Sequence, residues 1–160
     1  MKATFPNIVA ASAVLWCAIA CVAAATPEEV AKEQILATGR EWQEQYDRYQ
    51  PEAEMVEALR ARLAAGDVRI DVYLGLWCPD SRNHVPPFIK IMDRLGPMVV
   101  ARYFSVARKT GRDVKYYVEE LQVERVPTFI VYRGKGEIGR IIENPKVGML
   151  EDLMEIVFKE

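Results

Sequence analysis

The chain reads as an α/β domain: a central mixed sheet of four to five strands flanked by helices, behind an N-terminal helical extension. Two observations carry that reading. Apolar residues change from helical spacing to strict alternation at Val68, and from there strand-like and helix-like segments follow in the order β-α-β-α-β-β-α. With 51% hydrophobic residues among 160, the chain can bury one core, so a single domain is the default. It carries no internal repeat and no low-complexity linker.

Residues 1–25 read as targeting. Lys2 forms a short positive start, residues 8–20 are apolar, and Ala23-Ala24-Ala25 offers a cleavage site before Thr26. The apolar run is short for a spanning helix. A second reading stays open, because `AIAC` resembles the end of a lipoprotein signal. Contact with a membrane is expected only if Cys21 is lipidated. Both readings export the domain, to a periplasmic or extracellular location. The expected organisation is therefore a signal at 1–25, the extension at 26–66 and the α/β domain at 67–160.

In the extension, Ile35, Trp42, Tyr46 and Tyr49 fall on one helical face and predict a helix over residues 30–49. Pro51 suits the first turn of a second helix, which carries Met55, Val56, Leu59 and Leu63 and stops at Gly66. Then Val68, Ile70, Val72 and Leu74 alternate with Arg69, Asp71, Tyr73 and Gly75, which predicts a strand. `PDSRNHVPPFIKIMDRLG` predicts a helix that starts just after Cys78 and kinks or restarts at Pro86 and Pro87. `MVVARYFSV` predicts a strand and `DVKYYVEELQ` a short helix. `TFIVYRGKGEIGRIIE` predicts a hairpin turning at Gly134-Lys135-Gly136. Leu150, Leu153, Met154 and Val157 share one face of a last helix.

Charge narrows the function. The formal net charge is −2, and the tightest basic stretch, `ARKTGR`, reads as a solvated loop, so nucleic acid is not an expected partner. One cysteine and one histidine in the domain, Cys78 and His84, fall short of a metal-ligand set. No motif calls for a cofactor, and nothing indicates an oligomeric state. Cys17 and Cys21 lie in the export signal, so cleavage after Ala25 leaves Cys78 without a partner for an internal disulfide. An odd cysteine in an exported protein is either a reactive thiol or a buried bystander.

The neighbours of Cys78 bear on that choice. `WCPDS` stands at a strand-to-helix junction, and `VPT` (Val126, Pro127, Thr128) stands just before the hairpin. With the element order, these make residues 68–160 resemble a thioredoxin domain. `CPDS` resembles the `CPDC` sites of thioredoxin-related proteins with the last cysteine replaced by Ser81. `WCPDSRNHVPPFIKIMD` is similar to a group of exported bacterial thioredoxin-like proteins that carry serine there. The resemblance implies a cis Pro127 lying against Cys78, and a Val126 backbone offering an edge to an extended substrate peptide, with Thr128 beside it. It also implies protein or small-molecule thiols and disulfides as partners.

Each position has its own chemistry. A cysteine just before a helix faces unpaired N–H groups and the positive dipole end, both of which favour thiolate, the form that attacks disulfides. Trp77 is expected to shield one side of the sulfur. Pro79 fits the first helical turn, where its missing N–H costs nothing. Asp80 suits the same dipole but opposes a neighbouring thiolate. Ser81 cannot release a mixed disulfide as a second cysteine would; it is expected to offer the sulfur a hydrogen bond. His84 lies nearly two turns along the helix, too far to serve as base, and is expected to face solvent or the N-terminal extension. Asp71 is one residue out of phase with the buried acid of thioredoxins, whose place Val72 takes.

Two functions follow. In one, Cys78 performs monothiol thiol–disulfide exchange, supported by Trp77, Ser81 and Pro127, and net dithiol redox chemistry within the domain is excluded. In the other, the fold is a non-catalytic interaction module that uses its cis-proline edge. A thiol peroxidase would need Thr/Arg-type surroundings, which Cys78 lacks.

Overall fold

A computed structural model describes residues 26–64, 66–109 and 115–159, so the export signal read at 1–25 lies outside the described residues. The described chain forms β1 (Glu28–Val30), α1 (Lys32–Leu36), α2 (Arg40–Arg48), α3 (Ala53–Leu63), β2 (Val68–Leu74), α4 (Pro79–Leu95), β3 (Val100–Ser105), β4 (Thr128–Arg133), β5 (Gly136–Ile142) and α5 (Met149–Phe158). They build one mixed sheet in the order β1-β3-β2-β4-β5. Only β2 and β3 are parallel, which requires a crossover, and α4 provides it. β4 and β5 are the hairpin, with a register shift at Val131/Tyr132.

Three local departures from the sequence reading have identifiable causes. The helix expected over 30–49 is broken: α1 ends at Leu36, and extended Gly39 caps α2. Glycine is a poor helix interior residue, and the break still leaves Ile35 and Trp42 buried. The segment before α1 adds a strand, β1, pairing antiparallel with β3; three residues are too few to show alternation. Pro51 precedes α3 rather than entering its first turn, since Glu52 is the cap.

The helix expected in `DVKYYVEELQ` does not form in its described part. Residues 115–122 run through turns closed by a bridge between Val118 and Val123, with Gln122 at φ 53°. Adjacent aromatic and β-branched residues (Tyr116, Tyr117, Val118) give helix little intrinsic support, and here Tyr117 and Val118 pack inward instead. By contrast, α4 continues through Pro86 and Pro87 as one 17-residue helix. Its dense apolar face, with Val85, Phe88, Ile89 and Ile91 fully buried, holds the helix together across the missing N–H groups.

The two faces of the sheet differ. The large buried apolar side chains of α1 to α5 belong to one cluster, shared with Val72, Leu74, Phe129 and Val131 of the sheet. On the opposite face, Tyr73, Ile130 and Tyr132 meet Val106, Val123 and Val126 of the β3–β4 connection, and Cys78 joins them. No described helix covers this second face. Where the connection does not reach, arginines lie over aromatic rings: Arg69 over Tyr132 at 4.4 Å and Arg102 over Phe104 at 5.2 Å. Both are held by buried Asp71, which takes Arg102 in a two-bond fork (2.9 and 2.7 Å) and Arg69 at 3.2 Å.

Candidate functional site around Cys78

β2 ends at Leu74, a tight turn follows through Cys78 N–H to Gly75 C=O (2.9 Å), and α4 begins at Pro79. Cys78 is therefore the residue that caps α4, and Pro79 is its first residue, placed where no N–H is needed. Asp80 lies in the first turn, half-buried. The turn demands Gly75: a Cβ there would stand 2.8 Å from Cε2 of Trp77, whose ring lies against this backbone.

The thiol does not cap the helix. No side-chain cap bond forms, and Cys78 Sγ instead donates to the Val126 carbonyl at 3.3 Å. The Val126–Pro127 peptide is cis, so α4's start and the loop before β4 meet at the sulfur. That loop is braced twice. Thr128 Oγ1 donates to Arg125 C=O (2.7 Å), and Glu143 N–H donates to Pro127 C=O (2.7 Å). Val126, Pro127 and Thr128 are all buried.

Ser81 departs from the expected role. Fully buried, its hydroxyl oxygen accepts the Gly75 N–H at 3.1 Å, fastening the turn to the helix rather than offering a bond to the sulfur. His84 also lies elsewhere, with Nε2 2.8 Å from Asn144 Oδ1 on the β5–α5 connection. The bond from this part of α4 to the N-terminal segment comes from Arg82, which donates to Glu41. Asp71 is occupied by its two arginines on the second face.

Two residues of the β3–β4 connection complete the surroundings of the thiol, and local patterning did not single them out. Tyr117 packs 6.0 Å from Trp77, centroid to centroid, and its hydroxyl is pushed up by burial first and by the neighbouring Cys78 charge second. Arg108 lies 4.9 Å above the Trp77 ring and acts on Tyr117 in the opposite sense. Trp77 itself is pinned by a bond from Nε1 to Val106 C=O, 3.1 Å. Residues 28 to 39 positions from Cys78 come together only when β3 pairs beside β2, a juxtaposition with no signature in spacing.

Cys78 retains 8% exposure beneath this roof. It is the one free cysteine among the described residues; Cys17 and Cys21 lie before them. A groove of about 510 Å³ opens farther along the same loop, lined by Gln122, Glu124, Arg125, Thr128, Arg140 and Ile142, but the sulfur does not line it. No group of described residues has the composition and proximity to hold a metal ion.

Comparison with solved structures returns a protein of unknown function from Pseudomonas aeruginosa, 22% identical over 80% of this chain and 83% of that one, at a TM-score of 0.48. An HIV epitope-scaffold protein is 23% identical over 81% and 76%, at 0.47. Thioredoxin O2 from Arabidopsis thaliana, in its oxidized state, is 21% identical over 65% and 90%, at 0.42. No curated protein matches. The thioredoxin family profile matches residues 24–155, and so takes in the N-terminal segment as well as the α/β domain. A match over that much of the sequence decides the family: this chain belongs to the thioredoxins.

Proposed function

We propose that the protein is an exported thioredoxin-like protein that performs monothiol thiol–disulfide exchange at Cys78. The observation that carries the reading is the position of the sulfur, at the start of α4 and 3.3 Å from the carbonyl of Val126, whose peptide bond to Pro127 is cis. The attacking form is the thiolate, reached when the Sγ proton passes from its bond with the Val126 carbonyl to solvent. The thiolate attacks one sulfur of a bound disulfide, a new Sγ–S bond forms, and the other sulfur departs with the electron pair. With Ser81 in the fourth position, release waits for an external thiol. Export rests on the reading of residues 1–25.

The burial of Cys78 favours a second reading, an interaction module that uses the Val126–Pro127 edge without turnover. Alkylation kinetics separate the two. Under the exchange reading the folded protein alkylates at Cys78, and Asp80→Asn accelerates the reaction by removing an opposing charge. A folded protein whose Cys78 alkylates only in denaturant leaves the interaction module as the function.

A further inference from the structure

The cation above Trp77 points to the kind of disulfide the site takes. Arg108 is exposed, lies with its Cζ 4.9 Å from the centre of the Trp77 ring, and has no carboxylate partner among the described residues. Other cations near the connection are engaged: Lys115 with Glu124, and Lys109 with the carbonyls of Lys115 and Glu124. Trp77, the ring beneath Arg108, directly precedes Cys78 and packs against the same cluster as the thiol. A guanidinium over the Trp77 ring can still offer N–H groups to a carboxylate. Asp80, in the first turn of α4, is the nearby acid in the Cys78 motif and weakens this preference without holding Arg108.

We propose that Arg108 makes Cys78 selective for disulfides bearing a carboxylate near the S–S bond, such as those of acidic peptides or anionic small thiols. This rests on the exchange reading given above. In the step, the carboxylate pairs with Arg108 while the Cys78 thiolate, its proton released to solvent, attacks the nearer sulfur. The Cys78–S bond forms, the S–S bond breaks, and the departing thiolate takes the electron pair. Cys78 is oxidised as the leaving sulfur is reduced.

The test compares three probes on the full chain: anionic 5,5′-dithiobis(2-nitrobenzoate), neutral 2,2′-dithiodipyridine and cationic cystamine. The rate at Cys78 is taken as the difference from Cys78→Ser. Arg108→Gln is expected to slow the anionic probe about fivefold, leave the neutral one unchanged and speed the cationic one. Arg108→Lys should keep most of the selectivity, and 1 M salt should erase it. An anionic rate unchanged in Arg108→Gln, with the neutral probe still reacting, overturns the selectivity and leaves the exchange reading standing. Failure of all three probes to react at Cys78 overturns the exchange reading, and the selectivity with it.

Discussion

The helix-covered face of the sheet and its opposite face solve the same problem, covering strands, by different means. On the first, α4 and α5 lay continuous apolar surface on the sheet, with Phe88 against Phe129 at 5.0 Å and against Tyr103 at 6.2 Å. On the second, a non-helical connection and arginines cover the aromatic rings, and a buried carboxylate holds those arginines in place. Apolar interlocking leaves no polar group to serve chemistry. A face built from loops, guanidiniums and rings can hold a thiol close to a carbonyl and a cation. Stability should therefore concentrate on the first face and function on the second.

The largest effect should come from the first face. Phe88→Ala removes a fully buried ring from the middle of the helix-covered core and is expected to cost about 3–5 kcal/mol in chemical denaturation. A loss below ~1 kcal/mol would mean that the helical layer is not the main support of the sheet.

An intermediate effect is expected where the second face is held by charge. Asp71→Asn keeps the shape but leaves two guanidiniums without their carboxylate. Removing one partner of a buried pair is costly, but both arginines are more than a third exposed, so the expected loss is about 2 kcal/mol. Reactivity at Cys78 should survive in the folded fraction, because Asp71 has no bond to the site. A change in Cys78 alkylation as large as the change in stability would join the two halves of the second face into one unit.

A smaller stability effect, and a gain of activity, is expected at the seam between the faces. Ser81→Cys exchanges the acceptor of the Gly75 N–H for sulfur, at a cost of about 1 kcal/mol. It also restores a second thiol one turn from Cys78, within reach of disulfide geometry. Insulin reduction with a dithiol reductant should appear in the variant and be missing from wild type. A variant that forms the disulfide yet stays inactive would show that the roof of Trp77 and Tyr117 excludes protein substrates.

How far the sequence could be read follows the same division. The helix-covered face was legible because its signals are periodic: alternation fixed β2 at Val68–Leu74, and the spacing of Leu150, Leu153 and Val157 marked α5. Cys78, Pro79 and Ser81 were legible as positions because a strand, a proline and a helix start leave a local signature. The partners of Cys78 and Ser81 were not. Whether sulfur meets a helix N–H or the Val126 carbonyl, and whether Ser81 faces the thiol or Gly75, depends on how a distant loop docks. Arg108 and Tyr117 were invisible for the same reason, lying on a connection whose residues looked helical or merely solvated. The three-residue β1 shows that an edge strand too short for alternation is decided by pairing alone.

Intact-mass spectrometry reads whether Cys78 exchanges disulfides while the protein is folded. The native full chain is incubated with oxidised glutathione beside Cys78→Ser. One added glutathionyl group is expected at Cys78, removed by a small external thiol and missing at that position in the variant. An adduct at Cys78 that forms only after denaturation would contradict that exchange, and would identify the thiol as part of the packing beneath Trp77 and Tyr117.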